Sequence, residues 1–123
     1  MREIKFRAWD TENNEMCQID AVFLDDGDVE GRRPSGGAAV LEKGEYTLMQ
    51  YTGLKDRNGV EIYEGDIFDN GRVKGVVVWD NNGYWTVNVI NDKKWVPEHY
   101  RLVTYGDNYE VIGNIHENPE LLK

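Results

Sequence analysis

The sequence predicts an all-β protein. Three observations carry that prediction: apolar residues recur with period two in short runs, turn-forming clusters separate those runs about every eight to twelve residues, and no stretch shows the 3.6-residue apolar repeat of a long amphipathic helix. At 123 residues the chain suits one domain, and its four Trp and seven Tyr supply core volume without disulfides. The single cysteine, Cys17, cannot form an intrachain bridge, which fits a reducing compartment.

The elements follow in order. From Glu3 to Trp9 charged and apolar residues alternate, with Ile4, Phe6 and Ala8 on one side and Lys5 and Arg7 on the other, as a half-buried strand requires. Glu12 to Glu15 reads as a turn, and Met16, Cys17, Ile19 and Ala21 to Leu24 supply one or two short returning strands, giving an N-terminal hairpin over 1–24. Asp25-Asp26-Gly27-Asp28 ends it. The stretch 25–45 is rich in Gly, Arg, Pro, Ser and Glu, with one apolar cluster at Ala38–Leu41, and is expected to be a long flexible loop in which Arg32 and Arg33 are open to proteases.

Tyr46 to Thr52 resumes a strand, and Asn58-Gly59 supplies hairpin-turn chemistry before Val60 to Tyr63. After Glu64-Gly65-Asp66, the apolar run Val73 to Trp79 reads as a central strand. Asp80-Asn81-Asn82-Gly83 turns it into an alternating partner carrying Trp85, Val87 and Val89. Tyr100 to Tyr105 and Tyr109 to Ile115 are two further strands. Asn118 is placed to cap a closing helical turn with Pro119 at its first position. Short strands without crossover helices favour a small SH3-like β-barrel over 46–123, preceded by the hairpin extension and the loop, with Leu121 and Leu122 plugging one end.

Four stretches carry a family resemblance that runs almost from the first residue to the last. They are Met1 to Trp9 (MREIKFRAW), Leu48 to Asp56 (LMQYTGLKD), Ile62 to Ile67 (IYEGDI) and Val111 to Leu122 (VIGNIHENPELL). In these the chain resembles the YopX family of bacteriophage and prophage proteins. The resemblance implies an all-β, SH3-like fold, carriage on phages or integrated prophages, and self-association. It implies no established activity and carries over no catalytic or binding residue. The physical reading of the same motifs is structural, with glycines 53, 59, 65 and 113 at strand boundaries or at close backbone approaches.

No motif in the chain points to catalysis, metal binding or a cofactor. Asp26-Gly27-Asp28-Val29-Glu30-Gly31 imitates the start of a calcium loop, but Gly37 stands where the bidentate carboxylate belongs. His99, His116 and Cys17 are too few for structural zinc, and each histidine sits beside a glutamate that alternation would point to the opposite face. Cys17 has no activating base nearby in sequence, and Arg33 to Ala39 lacks the spacing and lysine of a phosphate-binding loop. A non-enzymatic protein with neither metal nor cofactor is the expectation.

Partner chemistry is constrained by charge. Fourteen Lys and Arg against twenty-three Asp and Glu leave a formal charge of -9, which opposes binding to nucleic-acid phosphate or anionic lipid. The remaining candidates are protein contacts: a homo-oligomer, or a host or phage protein. Tyr84, Trp95 and Tyr100 are the candidate exposed interaction surface, while Trp79 and Trp85 are expected to pack inward. Two alternatives stand beside this: single-stranded nucleic acid or a peptide on the aromatic face, and an acidic surface mimicking nucleic acid. With no apolar run of signal-peptide or membrane-span length, the expected location is the bacterial cytoplasm.

Overall fold

The computed structural model describes residues 3–69, 74–81, 83–90, 99–101 and 110–122, with the backbone alone for Asp80 and 99–101. It is mainly β, as the alternating pattern requires, and divides into two compact units at Tyr51/Thr52.

In the first unit β1 (Phe6–Asp10) and β2 (Glu15–Phe23) form the expected hairpin, in register from Phe6 opposite Ile19 to Asp10 opposite Glu15. Two more strands follow where a flexible loop was expected, β3 (Asp28–Arg32) and β4 (Ala38–Leu41), and they extend the antiparallel sheet beyond β2. Their core-facing residues are few and small, but Val29, Ala39 and Leu41 are buried with Ala8, Cys17 and Ile19 in one apolar cluster. Burial of that small set holds the hairpin despite its polar composition. Arg33 is correspondingly not the open protease site expected, being only 21 % exposed and tied into ion pairs.

Strand β5 (Tyr46–Lys55) joins this sheet on the other side of β1, pairing Tyr46 to Gln50 with it. This pairing accounts for the main departure from the expected SH3-like barrel. The strand that would have opened a barrel over 46–123 spends its first half on the N-terminal hairpin, and among the described residues the strands form two antiparallel sheets and no closed barrel.

In the second unit the end of β5 turns through Asp56–Val60 into β6 (Glu61–Tyr63), with Gly59 at a φ of 81° as the Asn-Gly pair predicts. Strands β7 (Asp66–Asp69), β8 (Lys74–Asp80), β9 (Tyr84–Val89), β10 (His99–Arg101) and β11 (Glu110–Asn114) form a sheet in the order β10-β9-β8-β7-β11. Ile62, Phe68, Val77 and Val87 make its core, with Leu54, Trp85, Val89 and Val111 packed around them. The continuous apolar run of β8 therefore lies mid-sheet, as its sequence indicates.

The chain ends in the expected single turn, a 3-10 turn over Pro119–Leu122. Its leucines do not plug anything: the turn has no buried residue, and Leu122 is exposed. What holds the turn is an amide relay. The Asn114 Oδ1 accepts the His116 and Glu117 N–H groups, while the Asn118 Oδ1 accepts the Asn114 N–H and the Asn118 N–H donates back to the Asn114 carbonyl. Gly113 makes room for it, since a methyl group there would come within 2.4 Å of the Asn118 Oδ1. Gly113→Ala is accordingly expected to cost about 1–3 kcal/mol, read as a lower Tm with faster hydrogen exchange at the Asn114 amide. An unchanged exchange rate would show that the relay tolerates the methyl.

Candidate functional site

The most densely connected polar cluster lies in the first unit, where the tips of two hairpins meet. Asp10 ends β1, Glu15 begins β2, and Arg33 follows β3, so register brings together residues far apart in sequence. The Arg33 Nη1 donates to Asp10 Oδ2 at 2.7 Å and to Glu15 Oε2 at 3.1 Å. Asp10 is 1 % exposed, and it also accepts the Glu12 and Asn13 N–H groups and the Asn13 side-chain amide. With Ser35, the residues Asn13, Glu15 and Arg33 line a shallow open depression.

Electrostatics fixes the protonation of this cluster. Burial alone would raise the Asp10 carboxyl, but the Arg33 guanidinium and the Asn13 and Glu12 donors outweigh it and hold the group well below the ordinary carboxylate range. Glu15 is lowered by hydrogen bonds from Ser35 and Arg33, and Arg33 is raised by the two carboxylates. Nearby Cys17 is fully buried and its thiol is pushed up by that burial, which keeps it protonated at neutral pH. A triad ionised at neutral pH and mutually satisfied suits clamping better than proton transfer, because neither carboxylate is poised near neutrality. It pins the β3–β4 hairpin to the β1–β2 turn.

Sequence reasoning missed this cluster. Asp10 lies next to an expected turn and Asn13 within it, but Arg33 lay inside an expected loop, and only the pairing of β2 with β3 brings it to Asp10. A long polar stretch with one apolar cluster, Ala38 to Leu41, was the available signal.

A second carboxylate cluster organises the second unit. The Asp56 Oδ1 accepts the Asn58 and Val60 N–H groups at 2.8 and 2.9 Å, and its Oδ2 accepts the Val111 N–H at 2.9 Å. Burial raises this carboxyl, and the three backbone donors more than reverse the effect. Arg57 and Asn58 both donate to Glu110 on β11. The Asp66 Oδ2 accepts the Tyr63 N–H across the Glu64-Gly65 turn. Thus the residues that stand out in the LMQYTGLKD, IYEGDI and VIGNIHENPELL stretches hold turns.

Tyr84 opens β9 opposite Asp80 and is half-buried, with a partner of its own. Tyr100 lies on β10 opposite Val87, with only its backbone described, and Trp95 falls outside the described residues. Trp79 departs from the inward packing expected of it. It meets Trp85 edge to face, with centroids 4.9 Å apart, yet is 49 % exposed because it sits at the hairpin end of β8, two residues beyond buried Val77. Trp85 packs against the core as expected. In the first unit Leu24, at the β2–β3 turn, is 91 % exposed, and Phe23 and Val40 are exposed on the outer side of their strands. The calcium-like stretch is an ordinary hairpin, with the Gly27 N–H donating to the Phe23 carbonyl ahead of β3. Among the described residues no group of three or more His, Cys, Asp or Glu is arranged to hold a metal ion, and no helix is long and apolar enough to cross a membrane.

Comparison with known proteins agrees with this architecture. The family profile described as YopX protein matches residues 5–123. Among solved structures the chain is similar to protein EF1440 from Enterococcus faecalis, with 30 % identity, a TM-score of 0.63 and full coverage of both chains. No curated protein matches the chain.

Proposed function

The chain belongs to the YopX family, and from that premise we propose that it is a non-catalytic protein-interaction module, carried by a phage or prophage and acting in the bacterial cytoplasm. The observation that carries the reading is the division of labour among side chains. The prominent carboxylate clusters are consumed in holding turns and hairpins, while large apolar side chains such as Leu24, Phe23, Val40 and Trp79 are left in solvent. Apolar groups kept exposed on a rigid sheet are what a protein contact uses. Self-association belongs to the same proposal, and so does a kinship of the second unit with small SH3-like sheets, supported by its five short antiparallel strands.

Base stacking on the aromatic end of β8 and β9 is the second reading, favoured by the exposed Trp79 beside Trp85 and opposed by the charge of -9. One experiment separates the two. The tagged chain is used to capture partners from prophage-bearing cells with and without nuclease, beside a Phe23→Ser/Leu24→Ser variant and a Trp79→Ser variant. A nuclease-resistant protein lost with either variant is the expected result. Recovery only through nucleic acid, abolished by Trp79→Ser, would overturn the interaction module in favour of stacking.

A further inference from the structure

Strand β4 lies at the end of its sheet, and its outer edge has a hydrogen-bonding pattern that can be worked out group by group. The β3–β4 turn is closed by the Arg33 N–H donating to the Gly37 carbonyl and the Gly36 N–H donating to the Arg33 carbonyl, both at 3.0 Å. Arg33 and Gly37 are therefore a hydrogen-bonded pair, and in an antiparallel ladder such pairs alternate with non-bonded ones. By the observed register, Ala39 with Gly31 and Leu41 with Val29 are bonded pairs, so Ala38 and Val40 turn their N–H and C=O groups away from β3. Glu42 has the same outward sense, but its own turn closes it: its N–H donates to Glu45 Oε1 and its carbonyl accepts the Glu45 N–H.

Among the described residues the open edge thus consists of four backbone groups, those of Ala38 and Val40. We propose that it is the contact strand of a homodimer, in which β4 of two copies pairs antiparallel about a two-fold axis with Ala38 of each opposite Val40 of the other. This register alone satisfies all four groups in both copies, making four hydrogen bonds. Centring the axis on Val40 would set Ala38 against the occupied groups of Glu42, and centring it on Ala38 would set Val40 against Gly36, whose N–H is already used. Ala39 meets its own copy at the centre, where a small side chain lets the strands approach closely.

The edge also lacks the devices that keep sheet edges apart: β4 has no charge, proline or bulge, and Val40 is 60 % exposed beside it. On the outer face each row reads Glu30, Val40, then Ala38 and Arg32 of the other copy, so opposite charges flank the apolar pair. A second copy is favoured over a foreign strand because its backbone pattern, side-chain size and flanking charge are all complementary by symmetry.

The inference rests on the self-association part of the proposed function, and the test separates the two. Sedimentation equilibrium of the full chain should show a mass rising with concentration from 14.2 kDa toward twice that value. Val40→Pro removes an outward N–H without touching the β3 ladder and should weaken the dimer roughly tenfold or more. Val40→Lys should do the same if proline perturbs folding, as judged by circular dichroism. Oxidation of an equimolar mixture of A38C and V40C chains should give the mixed dimer in excess over disulfide dimers of either variant alone. Oligomers that ignore Val40→Pro and Val40→Lys, with no excess of mixed disulfide, would overturn the β4 interface while leaving self-association standing. A wild-type chain monomeric up to about 1 mM would overturn both.

Discussion

A single methyl group at position 31 is expected to melt the β2–β3–β4 layer. Gly31 lies opposite Ile19, where β2 bulges before Ala21, and the bulge presses the Gln18 carbonyl onto the glycine. A Cβ at position 31 would stand 1.8 Å from the Gln18 oxygen and 2.8 Å from the Ile19 Cα. Both are backbone atoms, so no rotamer change relieves the overlap, and the strands must separate. Loss of about 3 kcal/mol or more is expected for Gly31→Ala, with protection from hydrogen exchange falling at Val29 and Leu41. Gly36→Ala supplies the contrast. At Gly36 φ is 105° with nothing within 4 Å, so only left-handed strain of about 1–2 kcal/mol applies. Equal melting temperatures for the two variants would show that backbone conformation, and not the close strand approach, sets the requirement at position 31.

The same glycine shows why part of the fold was hidden in the sequence. The hairpins at Glu12–Glu15, Asn58-Gly59 and Asp80–Gly83 were legible because their turn residues sit between alternating runs whose apolar members are large. Between Asp28 and Leu41 the core face is made by Val29, Gly31, Ala39 and Leu41, and two of these have almost no side chain. Gly31 is needed because the bulge brings β2 close, but residues this small remove the apolar contrast by which a strand is recognised. SH3-like closure failed for a related reason. The pattern of Tyr46 to Thr52 identifies a strand without naming its partner, and β1 is the partner it takes.

Asp10 carries the second large effect, and pH reveals it. Its carboxylate, depressed below its ordinary value of 3.8 in the folded chain, favours folding most fully above that value and loses its contribution as pH falls toward the folded-state value. Glu15 and Asp56 are depressed as well and act in the same direction, so stability should be flat near neutrality and decline from about pH 4 downward. Asp10→Asn keeps the shape but removes the charge facing Arg33 and one acceptor oxygen. It should cost about 2–3 kcal/mol at pH 7, because a buried carboxylate is removed from a pair whose arginine is only partly exposed, leaving that guanidinium without its shortest partner. It should also flatten the acid limb, since the variant has no proton to take up at that site. Calorimetric melting of both proteins from pH 7 to pH 2 measures the two effects together. A variant as stable as the parent at pH 7 would mean that Arg33 finds equal solvation without Asp10, and the triad would then not be what pins the β3–β4 hairpin. A lower Tm with an unchanged acid slope would assign the acid sensitivity to the other depressed carboxylates, Glu15 and Asp56. Because Arg33 immediately precedes the turn that presents β4, a large Asp10 effect would also tie the position of the outer edge of the sheet to the Asp10–Arg33 pair.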